Sequence, residues 1–247
     1  MSKAEINQLL LIAPMHFVQK ILKFCYFMMP LVFMTCGNEN TSKKAEDKQT
    51  VEATESMAEE ATSTTKTILC FGDSITAGYG LDDINNAFPS VLQSKIDSLG
   101  LNYSVVNSGL SGETTAGGKS RINWILNQDI DIFLLELGAN DGLRGVPLSE
   151  TRSNLQEIIN AVKQKNPNTK IILAGMQLPP NMGQDYTSEF RTIFTELATK
   201  NKLEFIPFIL EDVGGIAKLN QSDGIHPTEE GHFIVANTVW KVLEPLL

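Results

Sequence analysis

Ile68-Leu69-Cys70-Phe71-Gly72-Asp73-Ser74-Ile75-Thr76 decides how this chain is read. Four apolar residues in succession, without alternation, suit a strand covered on both faces, and the Gly-Asp pair after them marks a turn. Runs of the same kind recur at Tyr103–Val106, Ile132–Leu137, Ile171–Ala174 and Leu203–Ile206. Between them, apolar side chains fall at helical spacing. Phe88, Val91, Leu92, Ile96 and Leu99 make one stripe, and Ile122, Ile125 and Leu126 another. Leu155, Ile158, Ile159 and Val162 make a third, and Phe190, Ile193, Phe194 and Leu197 a fourth. A last helix is expected to start at Pro227, with Glu229 and Glu230 in its first turn. Strand and helix in alternation imply an α/β fold, a three-layer α/β/α sandwich around a central parallel sheet.

In such sheets ligands bind outside the carboxyl ends of the strands. Polar, glycine-containing strings lie there. Gly72-Asp73-Ser74 follows the first strand, Asn107-Ser108-Gly109-Leu110-Ser111-Gly112-Glu113-Thr114 the second, and Gly138-Ala139-Asn140-Asp141-Gly142 the third. Asp223-Gly224-Ile225-His226-Pro227 follows the fifth. Their convergence on one edge says more than any one of them.

Each string has a chemical and a structural reading. Ser74 opens a helix, so its hydroxyl can face the cleft with its backbone N–H free for an anion, or it can simply cap the helix. His226 stands three residues after Asp223. That spacing lets the carboxylate hold one ring N–H while the other nitrogen takes a serine proton; otherwise the pair is a capping Asp and a surface His. Gly112 can offer a backbone N–H and Asn140 a side-chain N–H to a developing oxyanion, or serve as a turn glycine and a loop-capping amide. His232 falls inside the final helix and reads as structural, and Cys70 reads as a buried thiol.

Other classes are excluded on stated grounds. From Cys36 onward the chain carries 17 basic and 28 acidic residues, a net of −11 within a whole-chain −9. That sign opposes a nucleic-acid partner and a surface held to anionic lipid by charge alone. Gly112-Glu-Thr-Thr-Ala-Gly-Gly-Lys-Ser120 suggests a phosphate loop, but the position that needs glycine is Glu113, whose carboxylate opposes phosphate. Gly72-Asp73-Ser74-Ile75-Thr76 lacks the second glycine of an α/β-hydrolase nucleophile elbow. Cys25, Cys36 and Cys70 form no disulfide framework or metal cluster, and no cofactor is expected.

Together the strings resemble the GDSL family of serine hydrolases, also called SGNH hydrolases after the Ser, Gly, Asn and His of their blocks. The resemblance runs from Thr67 to the C-terminus, with all four blocks in the family's order. It departs in Ile75 for the usual Leu and Ala139 for a common Gly. Glu136-Leu-Gly-Ala-Asn-Asp-Gly-Leu-Arg-Gly145 and Leu178-Pro-Pro-Asn-Met-Gly183 look like the bacterial thioesterase/lysophospholipase/arylesterase branch. The resemblance implies a flavodoxin-like SGNH hydrolase fold and hydrolysis of carboxylic esters or thioesters through an acyl-enzyme. By it, Ser74 is nucleophile, Asp223 and His226 complete a triad, and Ser74 N–H, Gly112 N–H and Asn140 form an oxyanion hole. A carbohydrate O-acetylesterase on the same residues and a catalytically silent binding lipoprotein are the competing readings. The segment Met176–Tyr186 is richer in apolar residues than a solvated loop needs, and Leu178 and Met182 are expected to bind the acyl chain of a small-molecule or lipid ester.

The N-terminal segment, 1–36, reads as an address. Lys20 and Lys23 precede an uncharged apolar run, Phe24 to Met34, too short to span a bilayer comfortably. Phe33-Met34-Thr35-Cys36 resembles the end of a bacterial lipoprotein signal, which implies lipid on Cys36 and membrane tethering in the cell envelope, periplasm or outer membrane. A cleaved signal without lipid and an uncleaved anchor are the alternatives. The segment from Met15 reads as a complete signal by itself. Residues 37–66 carry Val51 and Met57 as their only large apolar side chains and read as a disordered tether, with an r.m.s. reach of roughly 30 Å. An Ala/Glu-rich surface helix is the alternative there. Residues 67–247 are the expected hydrolase domain.

Overall fold

The computed structural model describes residues 64–247. The expected signal segment, Cys36 and the expected tether up to residue 63 lie outside the described residues. Five strands form one sheet: β1 (Lys66–Gly72), β2 (Tyr103–Gly109), β3 (Ile132–Glu136), β4 (Lys170–Ala174) and β5 (Glu204–Ile206). Every pairing is parallel and the spatial order is β2-β1-β3-β4-β5. The helices are α1 (Ser74–Ala77), α2 (Phe88–Ser98), α3 (Thr115–Ile125), α4 (Ala139–Leu143), α5 (Leu148–Lys165), α6 (Gln184–Asn201) and α7 (Glu229–Leu243). α2 packs with α7, whereas α3, α5 and α6 pack side by side, which gives the two outer layers of an α/β/α sandwich.

The central strands owe their uniform hydrophobicity to those layers. All five residues of β3 are buried, as are the last five of β1. The edge strand β2 differs: it is half-exposed along its length, so continuous burial does not extend to it. Gln93 on α2 blunts that edge, accepting from the Val105 N–H and donating to Tyr103 O. Two other boundaries move. Leu99 falls past the last turn of α2 and is exposed instead of joining the stripe. The last helix is capped by Thr228, whose hydroxyl accepts from Gly231 N–H, so Pro227 precedes the cap instead of opening the helix. Glu229 and Glu230 do lie in its first turn.

The order of the strands decides where a ligand can sit. The chain runs from β1 out to β2 and then crosses to β3 on the other side of β1. The crevice at that reversal, above the carboxyl ends of β1 and β3, is where doubly wound sheets bind ligands. The Ser74 and Asn140 strings open directly onto it.

Candidate active site

Ser74 begins α1 immediately after β1, but it is not the cap. Asp73 is the N-cap, and its Oδ1 accepts the Ile75 N–H at 3.0 Å. The capping task thus falls to Asp73 and leaves the Ser74 hydroxyl unclaimed by its own helix. That hydroxyl lies 2.9 Å from His226 Nε2. His226 Nδ1 lies 2.7 Å from Asp223 Oδ2. Asp223 Oδ1 accepts from the N–H groups of Ile225 and His226, so one carboxylate shapes the turn and orients the ring. The His226 ring bond first, and the Ile225 N–H next, lower Asp223 to about 2. It is therefore ionised throughout the neutral range, which favours the tautomer with the proton on Nδ1 and leaves Nε2 to accept from Ser74.

Two links tie this turn to the Ser74 segment. Gln221 Nε2 donates to Tyr79 O at 2.7 Å and to Pro227 O at 3.0 Å, while Gln221 N–H donates to His226 O. The Tyr79 ring packs on the His226 ring, centroids 4.7 Å apart. Tyr79 N–H in turn donates to Ser74 O. The His226 turn and Ser74 are thereby joined through the residues just after α1.

Asn140 stands at the second position of α4 and donates one amide N–H to Asp73 Oδ2 at 3.2 Å, which leaves the other for a ligand. Gly112 takes φ +79°, a backbone that L side chains disfavour, in the loop after β2. Among the described residues no protein acceptor takes the N–H of Ser74 or of Gly112. The Gly112 loop is braced by the buried Glu113 carboxylate, which receives Arg121 through Nε and Nη2, while Arg121 also reaches Ser108. Glu113 is thus committed to an ion pair within the protein and is no phosphate cradle. Asp141 accepts from Thr115 N–H and hydroxyl, which locks the start of α3 to α4.

Beside this constellation lies an apolar cavity of ≈ 370 Å³, within the ordinary range of small-molecule sites. Ile75, Ala139 and Leu143 line it next to Ser74 and Asn140, Gly224 and Ile225 next to His226, and Met176, Leu178, Pro179, Phe208 and Leu210 complete it. Leu178 is part of that wall. Met182 is not; it packs, half-buried, against the core. His232 sits in the core, where Nδ1 accepts the Phe88 N–H and burial lowers it to about 4, so it is a neutral structural imidazole. Cys70 is a buried thiol pushed up to about 12 by burial.

The structure brings Ser74, His226 and Asp223 into one hydrogen-bonded chain and sets Gly112 and Asn140 at the same sheet edge. Sequence reasoning passed over Asp73, Glu136, Tyr79 and Gln221. Asp73 carried a readable signal, an aspartate directly before a helix start. The others did not, because their partners are distant in sequence.

Residues 70–234 match the GDSL-like lipase/acylhydrolase family. The chain is 38% identical to esterase TesA of Pseudomonas aeruginosa over 183 residues, which is 74% of this chain and 90% of that protein. It is 36% identical to thioesterase 1/protease 1/lysophospholipase L1 of Escherichia coli K12, over 73% of this chain and 85% of the relative. A crystal structure of TesA superposes with a TM-score of 0.70 at 37% identity, covering 74% of this chain and all of the other. With its parallel sheet, its Ser74 string and these relatives in view, the chain belongs to the GDSL-like lipase/acylhydrolase family and is a serine ester hydrolase.

Proposed function

We propose that Ser74 is the nucleophile, His226 the general base and Asp223 its orienter, with the N–H groups of Ser74 and Gly112 and the amide of Asn140 as oxyanion donors. The observation that carries this is the unbroken chain from Ser74 Oγ to His226 Nε2 at 2.9 Å and from His226 Nδ1 to Asp223 Oδ2 at 2.7 Å. Ser74 Oγ attacks the ester or thioester carbonyl as Nε2 takes its proton. The tetrahedral oxyanion is held by the three donors, and Nε2 returns the proton to the departing alkoxide or thiolate. Water then attacks the acyl-enzyme, losing a proton to Nε2; the second tetrahedral intermediate collapses, the carboxylic acid leaves, and Nε2 returns the proton to Ser74 Oγ.

The substrate in this reading is an acyl ester or thioester whose chain occupies the apolar cavity. The thioesterase and lysophospholipase named among the relatives belong to this class. A cavity of ≈ 370 Å³ with an apolar wall is far larger than an acetyl group needs and disfavours a carbohydrate O-acetylesterase. We further assign Leu178 to the acyl wall, whereas nothing favours Met182 over its neighbours. Export with lipid on Cys36 is part of the same proposal, supported by the apolar run and the polar sequence after it. Among the described residues no helix is long and apolar enough to cross a membrane.

Ser74→Ala tests the central assignment. Its kcat is expected to fall by at least ~10³, with loss of labelling by an activity-directed phosphonate. Near-normal hydrolysis by that variant, free of host esterase, would overturn it. For Cys36, metabolic labelling with a fatty-acid analogue should mark the wild type and not Cys36→Ser; equal labelling removes the lipid from the proposal.

A further inference from the structure

Directly beneath the nucleophile lies a buried carboxyl pair that the reaction above does not use. Glu136, the last residue of β3, is wholly buried. Its Oε2 accepts the Asp73 N–H at 3.2 Å and the Thr76 hydroxyl at 2.7 Å. Its Oε1 is buried with no donor among the described residues. The Asp73 backbone thus lies directly against this side chain, and the Asp73 carboxyl is itself inaccessible. Gly72 makes room for the arrangement. A Cβ there would stand 2.0 Å from Thr76 Oγ1 and 2.5 Å from Glu136 Oε2. The glycine that opens the Gly72-Asp73-Ser74 string is thus required by the Thr76 hydroxyl and the Glu136 carboxyl that meet over it.

We infer that Glu136 is a positioning residue for the oxyanion hole, standing as a neutral carboxylic acid that shares its proton with the Asp73 carboxylate. Two adjacent buried carboxylates cannot both be ionised without a cation, and among the described residues none pairs with Glu136. Asp73 accepts two N–H groups, from Ile75 and Asn140, which favour its charged form. Glu136 has a spare oxygen to carry the proton, and burial first, then the Asp73 charge, raises it well above the usual carboxyl range. The proton on Oε1 supplies the missing donor and fixes Asp73. Asp73 then holds the start of the Ser74 helix with one oxygen and the Asn140 amide with the other. The remaining charged and titratable groups near the pair are the Cys70 thiol, which its high value keeps neutral, and His226, which acts on Asp73 from the far side. Arg121 reaches Gly72 O but is committed to Glu113. β4 offers only apolar Leu173 and Ala174.

The role rests on the proposed reading of Asn140 as an oxyanion donor, but the proton can be tested without turnover. Glu136→Gln keeps both acceptor and donor, its amide N–H standing where the acid proton stood. Infrared difference spectra of the resting protein should show a protonated carboxyl stretch at neutral pH that is absent in Glu136→Gln; a spectrum without that loss overturns the inference. A carboxyl raised on folding makes stability fall as pH climbs from its unfolded value, about 4.3. Wild-type Tm should therefore decline with rising pH more steeply than that of Glu136→Gln, and parallel curves would contradict it. In turnover, Glu136→Ala should lower kcat about 10²-fold with KM little changed, as for a misplaced oxyanion donor, and Glu136→Gln should recover most of that loss. Equal impairment of the two variants counts against the shared proton. Asn140→Ala reports separately on the reading beneath it: an unchanged kcat there removes Asn140 as an oxyanion donor, while the infrared band still decides the proton.

Discussion

The two aspartates of this site sit in opposite surroundings. Asp223 is on an exposed turn, faces one imidazole and is held at about 2. Asp73 is wholly buried between α1 and Glu136, and burial pushes it up. Linkage gives the two halves opposite pH dependence. The stabilisation from Asp223 is complete above the ordinary aspartate value and fades only as pH falls through about 2. The burial of the Asp73–Glu136 pair is most favourable in acid and erodes as pH rises. The Ser74 half is therefore built as core, and the His226 half as a surface turn placed against it. Orientation on the first side comes from buried hydrogen bonds that the fold cannot lose cheaply. On the second it comes from a few contacts that matter for rate more than for stability.

Exchanging one aspartate at a time gives the largest expected effect. Asp223→Asn should cut kcat by about 10⁴, because an amide favours the wrong imidazole tautomer, yet it should leave Tm nearly unchanged because the turn is exposed. Asp73→Ala should instead lower Tm by about 5–10 °C, from roughly 2–3 kcal/mol of lost charged hydrogen bonds in a domain of this size. Thermal unfolding and steady-state kinetics on the two variants settle the contrast. Equal losses of Tm would show that the His226 turn is as much core as the Ser74 half.

The same contrast explains what could be read from sequence. The β1 run, the helical stripes and the Gly-Asp-Ser and Asp-x-x-His strings are local patterns, and they located the sheet, the layers and the residues at its edge. Partners that meet only in space were not legible. Glu136 lies 63 positions from Asp73, and it read as the first letter of a string instead of as the acceptor beneath the start of the Ser74 helix. Gln221 stands 142 residues from Tyr79. The half-exposure of β2 follows from its edge position, which depends on strand order and not on its own composition.

Gln221 sharpens the comparison at intermediate size, since it is a hydrogen-bonded link between the halves besides the Ser74–His226 bond. Gln221→Met keeps the bulk and loses the donors to Tyr79 O and Pro227 O. Small misplacements of a catalytic group can cost up to 10²-fold, and here the Tyr79 ring still packs on His226. A roughly tenfold fall in kcat is therefore expected, with KM within twofold and Tm within a few degrees. Unaltered kcat would mean that ring packing and the Ser74–His226 bond alone seat the turn.

The smallest effect tests whether the cavity inherits the division between the halves. Leu178 belongs to the buried half: it is only 9% exposed, and its Cδ atoms fill the space above Gly142, where a Cβ would come within 2.5 Å of them. Ile225 belongs to the base turn and is 45% exposed, though it lines the same cavity. Each buried methylene is worth about 0.8 kcal/mol, or roughly fourfold in kcat/KM per carbon, until the cavity is full. Serine at either position should flatten that slope, costing long-chain esters several-fold more than acetyl esters. Only Leu178→Ser should also lower Tm, because only Leu178 is packed into the core. Profiles from acetyl to long-chain esters, with Tm measured on the same preparations, separate the cases. Long and short esters falling together in Leu178→Ser would make that segment structural, and the acyl wall would then rest on Ile225 and the residues around it.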